Sequence, residues 1–114
     1  MFGLLGMINK AGNGEMKVAG TIIGGTMQGE KIGGYITNQK GGDTSKLYMH
    51  LDGVWKEFPY QYVKSYTVTQ PGQGLRCAIY EIEWMSGKKS LIEFSGPGEN
   101  KFVRGYSIYQ VNKY

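Results

Sequence analysis

The chain has 114 residues, the size of one domain, and 40% of them are hydrophobic. That is enough to bury a core without disulfides or metals, and it excludes wholesale disorder. The formal net charge of +4 is read as a solubility charge, short of the density of a dedicated nucleic-acid arm. Cys77 stands alone, which excludes an intramolecular disulfide and a cysteine-rich zinc site and fits a reducing, cytoplasmic setting.

The apolar start, Met1 to Ile8, has no basic stretch before it and is interrupted by Asn9-Lys10. It lacks the charge order of a secretory signal. No segment supplies the roughly 20 apolar residues of a membrane-crossing helix. Residues 1–14 therefore read as an apolar, glycine-rich lead-in to a β-rich body at 15–114, the whole forming a single domain. Met1–Ile8 is also where a peripheral membrane or partner contact would form.

The totals favour short strands over a helical bundle. There are 19 glycines and 9 tyrosines. Glycine disfavours helix and strand interiors but serves turns and bulges. Tyrosine suits a pleated, half-wet surface. Met16–Ile23 and Ile32–Thr37 are strand candidates, and the glycines inside them predict bulges or bends. Gly20, Gly24, Gly25, Gly29 and Gly33 have a nearly helical spacing, but Gln28, Glu30, Lys31 and the threonines make the run too polar for a membrane glycine zipper. Lys40-Gly41-Gly42-Asp43 reads as a loop.

Leu47, Met49 and Leu51 alternate with Lys46, Tyr48 and His50, and Asp52-Gly53 follows. An Asp-Gly pair between alternating runs predicts a type I′ hairpin, because both central residues need positive φ. That turn sets Leu51 opposite Val54 and Leu47 opposite Phe58. The apolar side chains then share a face, with Lys56 the exception. Tyr62–Thr69 is a strand by composition, Gln70–Gly74 a loop, and Leu75–Trp84 the longest predicted strand.

The next turn is fixed from two sides. A three-residue loop, Met85-Ser86-Gly87, with Gly87 left-handed pairs Trp84 with Lys88, Ile82 with Ser90, Tyr80 with Ile92 and Ala78 with Phe94. The apolar residues of both strands then fall on one face, and Glu83 lies opposite Lys89. After Ser95-Gly96-Pro97-Gly98 the pattern is double. Phe102, Val103, Tyr106 and Tyr109 have helical spacing, whereas Phe102, Tyr106 and Ile108 alternate as a strand would. Gly105, Ser107 and the β-formers lower helix propensity, so a final strand is favoured.

No catalytic constellation is present. His50 is the only histidine and is read as solvated on a polar strand face. Glu81 and Glu83 point one way from a strand, and their reading as ion-pair partners is preferred to a carboxylate pair. Cys77, inside a strand-like run, is read as an inert, buried thiol. The glycine-rich segment lacks the ending of a phosphate-binding loop. No catalytic, metal or cofactor-binding residue is assigned. Lys56, Lys64, Tyr66, Arg76, Lys88, Lys89 and Arg104 are the candidate interaction surface. Tyr48, Trp55, Tyr62, Tyr66 and Tyr106 could serve as stacking platforms for single-stranded nucleic acid.

Three stretches, Lys46–Trp55, Phe58–Val68 with its Val63-Lys64-Ser65, and Tyr80–Phe94, resemble a bacterial pleckstrin-homology-like domain. The resemblance covers about residues 46–94. It implies a mainly β fold, a small antiparallel barrel or two-sheet roll, closed by a C-terminal helix. It also implies a binding scaffold rather than an enzyme. The leading expectation is a non-enzymatic protein-interaction or ligand-binding module that could self-associate through a strand edge. The alternatives are nucleic-acid binding through a basic, aromatic face and membrane-surface association through the N-terminal segment.

Overall fold

Seven antiparallel strands form one continuous sheet in the computed structural model, which describes residues 15–38 and 42–113. They are β1 (Met16–Gly25), β2 (Lys31–Tyr35), β3 (Tyr48–Leu51), β4 (Val54–Glu57), β5 (Val63–Gln70), β6 (Ala78–Trp84) and β7 (Lys89–Phe94). A 3₁₀ turn at Tyr60–Tyr62 joins β4 to β5, and one helix, α1 (Gly98–Asn112), closes the chain. The strand order is β4-β3-β2-β1-β7-β6-β5. Two meanders, β1 to β4 and β5 to β7, are thus joined through β1, and β4 and β5 are the sheet's free edges.

β1 joins the meanders because it bends. Its first half pairs with β2 and its second half with β7, with register shifts between Val18 and Gly20 and between Ile22 and Gly24. Each bulge inserts an unpaired residue and increases local twist. A side chain at Gly20 would place its Cβ 2.9 Å from the Glu93 carbonyl oxygen, so the glycine permits the close approach of β7. At 10 residues β1 is the longest strand, not Leu75–Trp84. Leu75 to Cys77 lie outside β6 because Gln73 and Arg76 exchange backbone hydrogen bonds of 3.0 and 2.9 Å around Gly74, whose φ is 60°. Leu75 is left fully exposed.

Both predicted hairpins have the expected register. In the first, Leu51 opposes Val54 and His50 opposes Trp55. Asp52 and Gly53 have φ of 52° and 80°. The Phe58 amide donates to the Leu47 carbonyl at 2.9 Å, which extends the ladder. In the second, Ala78 opposes Phe94, Tyr80 opposes Ile92, Ile82 opposes Ser90 and Glu83 opposes Lys89. Gly87 has φ of 90°, and its amide donates to the Trp84 carbonyl. Of the loop predicted at Lys40–Asp43, Lys40 and Gly41 lie outside the described residues. Asp43 accepts from the Ser45 amide at 2.9 Å and its hydroxyl at 2.6 Å, which holds its carboxyl below the ordinary value.

The sheet curls around one core. Ile22, Ile32 and Met49 from the first meander pack in one cluster with Ile82, Ile92 and Phe94 from the second. Ala78 to Trp84 alternates buried and half-buried residues, as a sheet with one covered face requires. α1 packs on this core, and Phe102 in its second turn is fully buried.

α1 corrects the expectation of a final strand. Phe102, Tyr106 and Tyr109 lie along one helical face, and all three meet the ring of Tyr60. Burying that face outweighs the weak propensity of Gly105 and Ser107, as tertiary packing commonly does. The helix is also tied by polar contacts. The Tyr60 hydroxyl reaches the Phe102 carbonyl at 3.2 Å, and the Tyr80 hydroxyl donates to Glu99 Oε2 at 2.7 Å. Lys101 Nζ donates to the carbonyls of Tyr35 and Thr44.

Two of these ties make stability sensitive to alkali. Burial pushes the Tyr60 hydroxyl well above its ordinary pKa, and burial with the Glu99 hydrogen bond does the same for Tyr80. Both phenols stay protonated in the fold after unfolded tyrosines, with pKa of about 10, begin to ionise. Their contribution is complete below that pH and falls as pH rises through the window above it. The urea midpoint is expected to drop steeply above about pH 10. The drop should flatten when Tyr60→Phe and Tyr80→Phe are combined; an unchanged slope in the double variant would contradict this origin.

Candidate functional site

The sheet's free edges leave a seam. β4 and β5 are neighbours in sequence yet do not pair, because Pro59 and the Tyr60–Tyr62 turn carry the chain across the sheet between them. A cleft of about 520 Å³ opens beside that turn, lined from β3, β4, the β1–β2 turn, the end of β6 and the β6–β7 turn. Met27, Met49, Leu51, Pro59, Trp84 and Met85 supply its apolar walls. Its size matches pockets that take small ligands or an apolar anchor of a partner. Tyr62 and Met85 are exposed at 59% and 58%, large apolar groups held in water beside it.

A buried polar relay holds the cleft's floor. The Trp84 indole N–H donates to Ser90 Oγ at 2.8 Å, and Ser90 Oγ donates to the Thr26 carbonyl at 2.6 Å. Ser90 is itself buried, so this chain satisfies its hydroxyl and the indole together. The relay fastens the β1–β2 turn to the β6–β7 hairpin. Met27 sits in that turn with φ of 65°, an uncommon conformation outside glycine, and its side chain packs against the core beside the cleft. Three methionines are among the walls, and their unbranched, polarisable side chains suit irregular apolar shapes.

The seven residues expected to form an interaction surface are dispersed. Lys56 and Lys88 both line the cleft, one from β4 and one from the β6–β7 turn. Lys64 pairs with Glu83 at 3.8 Å and Lys89 with Glu81 at 3.9 Å. Lys89 therefore opposes Glu83 in register but directs its ammonium to Glu81. Arg76 lines a separate hollow with Gly72, Ser95 and Glu99. Arg104 lies on the exposed side of α1.

Tyr66 stands apart from the cations. Its ring packs on Tyr80, Phe102 and Tyr106, with centroids 5.3, 5.1 and 5.2 Å away, so it belongs to the aromatic core beneath α1. Of the other rings considered as stacking platforms, Tyr48 meets Tyr35, Trp55 meets His50 and Tyr106 meets Tyr66. His50 is half-buried, with Nδ1 3.6 Å from Glu30 Oε1. Cys77 is also only half-buried, and its carbonyl accepts from Gln70 Nε2. Among the described residues no three of His, Cys, Asp and Glu gather as metal ligands would.

Sequence reasoning missed the cleft but carried one signal of it. Lys56 breaks the apolar face of the first hairpin, standing opposite the fully buried Met49. A lysine on the inward face of an edge strand marks a place where that face meets water. Met27, Trp84 and Met85 gave no such mark, because only the fold brings them to the cleft.

No protein-family model, curated protein or solved structure matches the chain. Among the described residues, no helix is long and apolar enough to cross a membrane. The apolar stretch Met1–Ile8, on which the membrane alternative rests, lies outside the described residues.

Proposed function

We propose that this chain is a non-enzymatic binding module on a pleckstrin-homology-like scaffold, and that the cleft beside the Tyr60–Tyr62 turn is where its ligand or partner seats an apolar group. The cleft carries the reading: it is walled by apolar side chains, open to solvent and flanked by exposed Tyr62 and Met85. The scaffold reading is supported by the two meanders and by the closing helix that such domains carry. Fold likeness alone names no ligand, so the weight rests on the cleft. Self-association draws support from β5, an eight-residue free edge without proline. Nucleic-acid binding has less support, since the cations are dispersed and most of the rings face other rings.

A neutral fluorescent probe such as N-phenyl-1-naphthylamine tests the cleft. It is expected to bind one per chain and to shift the Trp84 indole and Met85 amide resonances. Leu51→Trp, which fills the cleft, should abolish binding while leaving the amide spectrum of the core intact. Probe binding that survives Leu51→Trp, or shifts confined to α1, would remove the cleft from the reading.

A further inference from the structure

The charges around the cleft select among apolar ligands. Its lining contains three charged side chains, Lys56, Lys88 and Glu57. Glu57 is already neutralised, because its Oε2 lies 3.2 Å from Lys46 Nζ and accepts a hydrogen bond from it. Lys56 and Lys88 have no part in the ion pairs that engage Lys46, His50, Lys64 and Lys89. Lys56 and Lys88, like Lys17 and Lys31 elsewhere on the sheet, are thus without a carboxylate partner among the described residues, and these two ammonium groups lie beside an apolar hollow. Both are exposed and solvated. A ligand that offered only hydrocarbon would leave them unused. A ligand that offered only an anion would leave the apolar walls wet.

We infer that the cleft takes a single-chain anionic amphiphile, an unbranched hydrocarbon chain ending in a carboxylate or phosphate. The chain lies against Met27, Met49, Leu51 and Trp84, and the head group sits between Lys56 and Lys88. Each further methylene buries more apolar area, so chain length sets affinity. The two ammonium groups set head-group preference, and that preference weakens as salt screens it. The inference rests on the reading of the cleft as the binding site but goes beyond it in naming the ligand class.

Displacement of the neutral probe separates the two claims. The competitors are decanoate, decanol and decyltrimethylammonium, all with the same chain and all used as monomers. Decanoate is expected to displace the probe at least tenfold more tightly than decanol, and the cationic chain more weakly still. Lys56→Glu with Lys88→Glu should weaken decanoate at least tenfold and change decanol less than twofold. Decanol's unchanged affinity would show that the variant remains folded.

Equal displacement by decanoate and decanol, unaltered in the variant, overturns the anionic head group and leaves the cleft reading standing. A probe that does not bind the folded wild-type chain overturns both. Phosphatidylcholine vesicles doped with decanoate form the last arm. Protein that floats with the vesicles but ignores decanoate monomers would overturn a free single chain and point to a membrane-held lipid.

Discussion

Phe102→Ala is expected to be among the most destabilising single changes available in this chain, with a loss of about 3–5 kcal/mol. The ring is fully buried, and its centroid lies 5.1 to 5.6 Å from those of Tyr66, Phe94, Phe58 and Tyr80. Three of these contacts are edge-on, an arrangement that contributes beyond area burial. Truncation removes the transfer free energy of the ring and leaves a cavity that rigid aromatic neighbours cannot collapse to fill. A domain of this size is held by about 5–15 kcal/mol in total, so the variant should sit near the edge of folding at 25 °C. Urea denaturation measures the effect directly. Phe102→Leu should lose less, and Val111→Ala, on the exposed side of the same helix, should stay within about 0.5 kcal/mol of the parent. A loss below about 1 kcal/mol for Phe102→Ala would mean that α1 is not part of the cooperative core.

The sequence expresses local pairing well and distant assembly poorly. The registers at Asp52-Gly53 and Met85-Ser86-Gly87 are legible because turn chemistry and side-chain alternation are encoded within a few residues of each other. The predicted bulges of β1 are legible too, since glycine in a strand has few other uses. What β1 does with its bulges is not, because pairing with β7 joins residues far apart in the chain. The cleft has the same origin. It is assembled from β3, β4, the Tyr60–Tyr62 turn and the turns that follow β1 and β6, segments far apart in the chain that no local pattern joins. Lys56 and Lys88 were both legible as surface cations, and the hairpin register already set Lys89 among carboxylates, but only the fold sets Lys56 and Lys88 on one hollow and pairs Lys64 with Glu83.

The misread helix has a particular physical cause, and it yields the second large effect. Gly105 lowers helix propensity by about 1 kcal/mol relative to alanine, which is why the segment reads poorly as a helix. The structure shows what the glycine permits. The hydroxyl end of Tyr60 rests against α1 at that position, and a Cβ on residue 105 would stand 2.7 Å from Tyr60 Cζ and 2.9 Å from Cε2, in collision with the hydroxyl oxygen as well. The Tyr60 ring cannot retreat, since it is packed against Phe58 and Phe102 and its hydroxyl is bonded to the backbone of α1. Gly105→Ala should therefore destabilise the chain by about 2 kcal/mol, an overpacking cost that exceeds the propensity gain.

The same substitution in a Tyr60→Ala background removes the collision and keeps the gain. There it should be neutral or stabilising by up to about 1 kcal/mol. The two changes should consequently show a coupling of at least about 2 kcal/mol in a double-mutant cycle followed by urea denaturation, well beyond the additive range. Equal effects of Gly105→Ala in both backgrounds would mean that the glycine serves the helix backbone alone. A strong coupling would instead assign the poor helical sequence of α1 to one contact, the seat it keeps open for Tyr60.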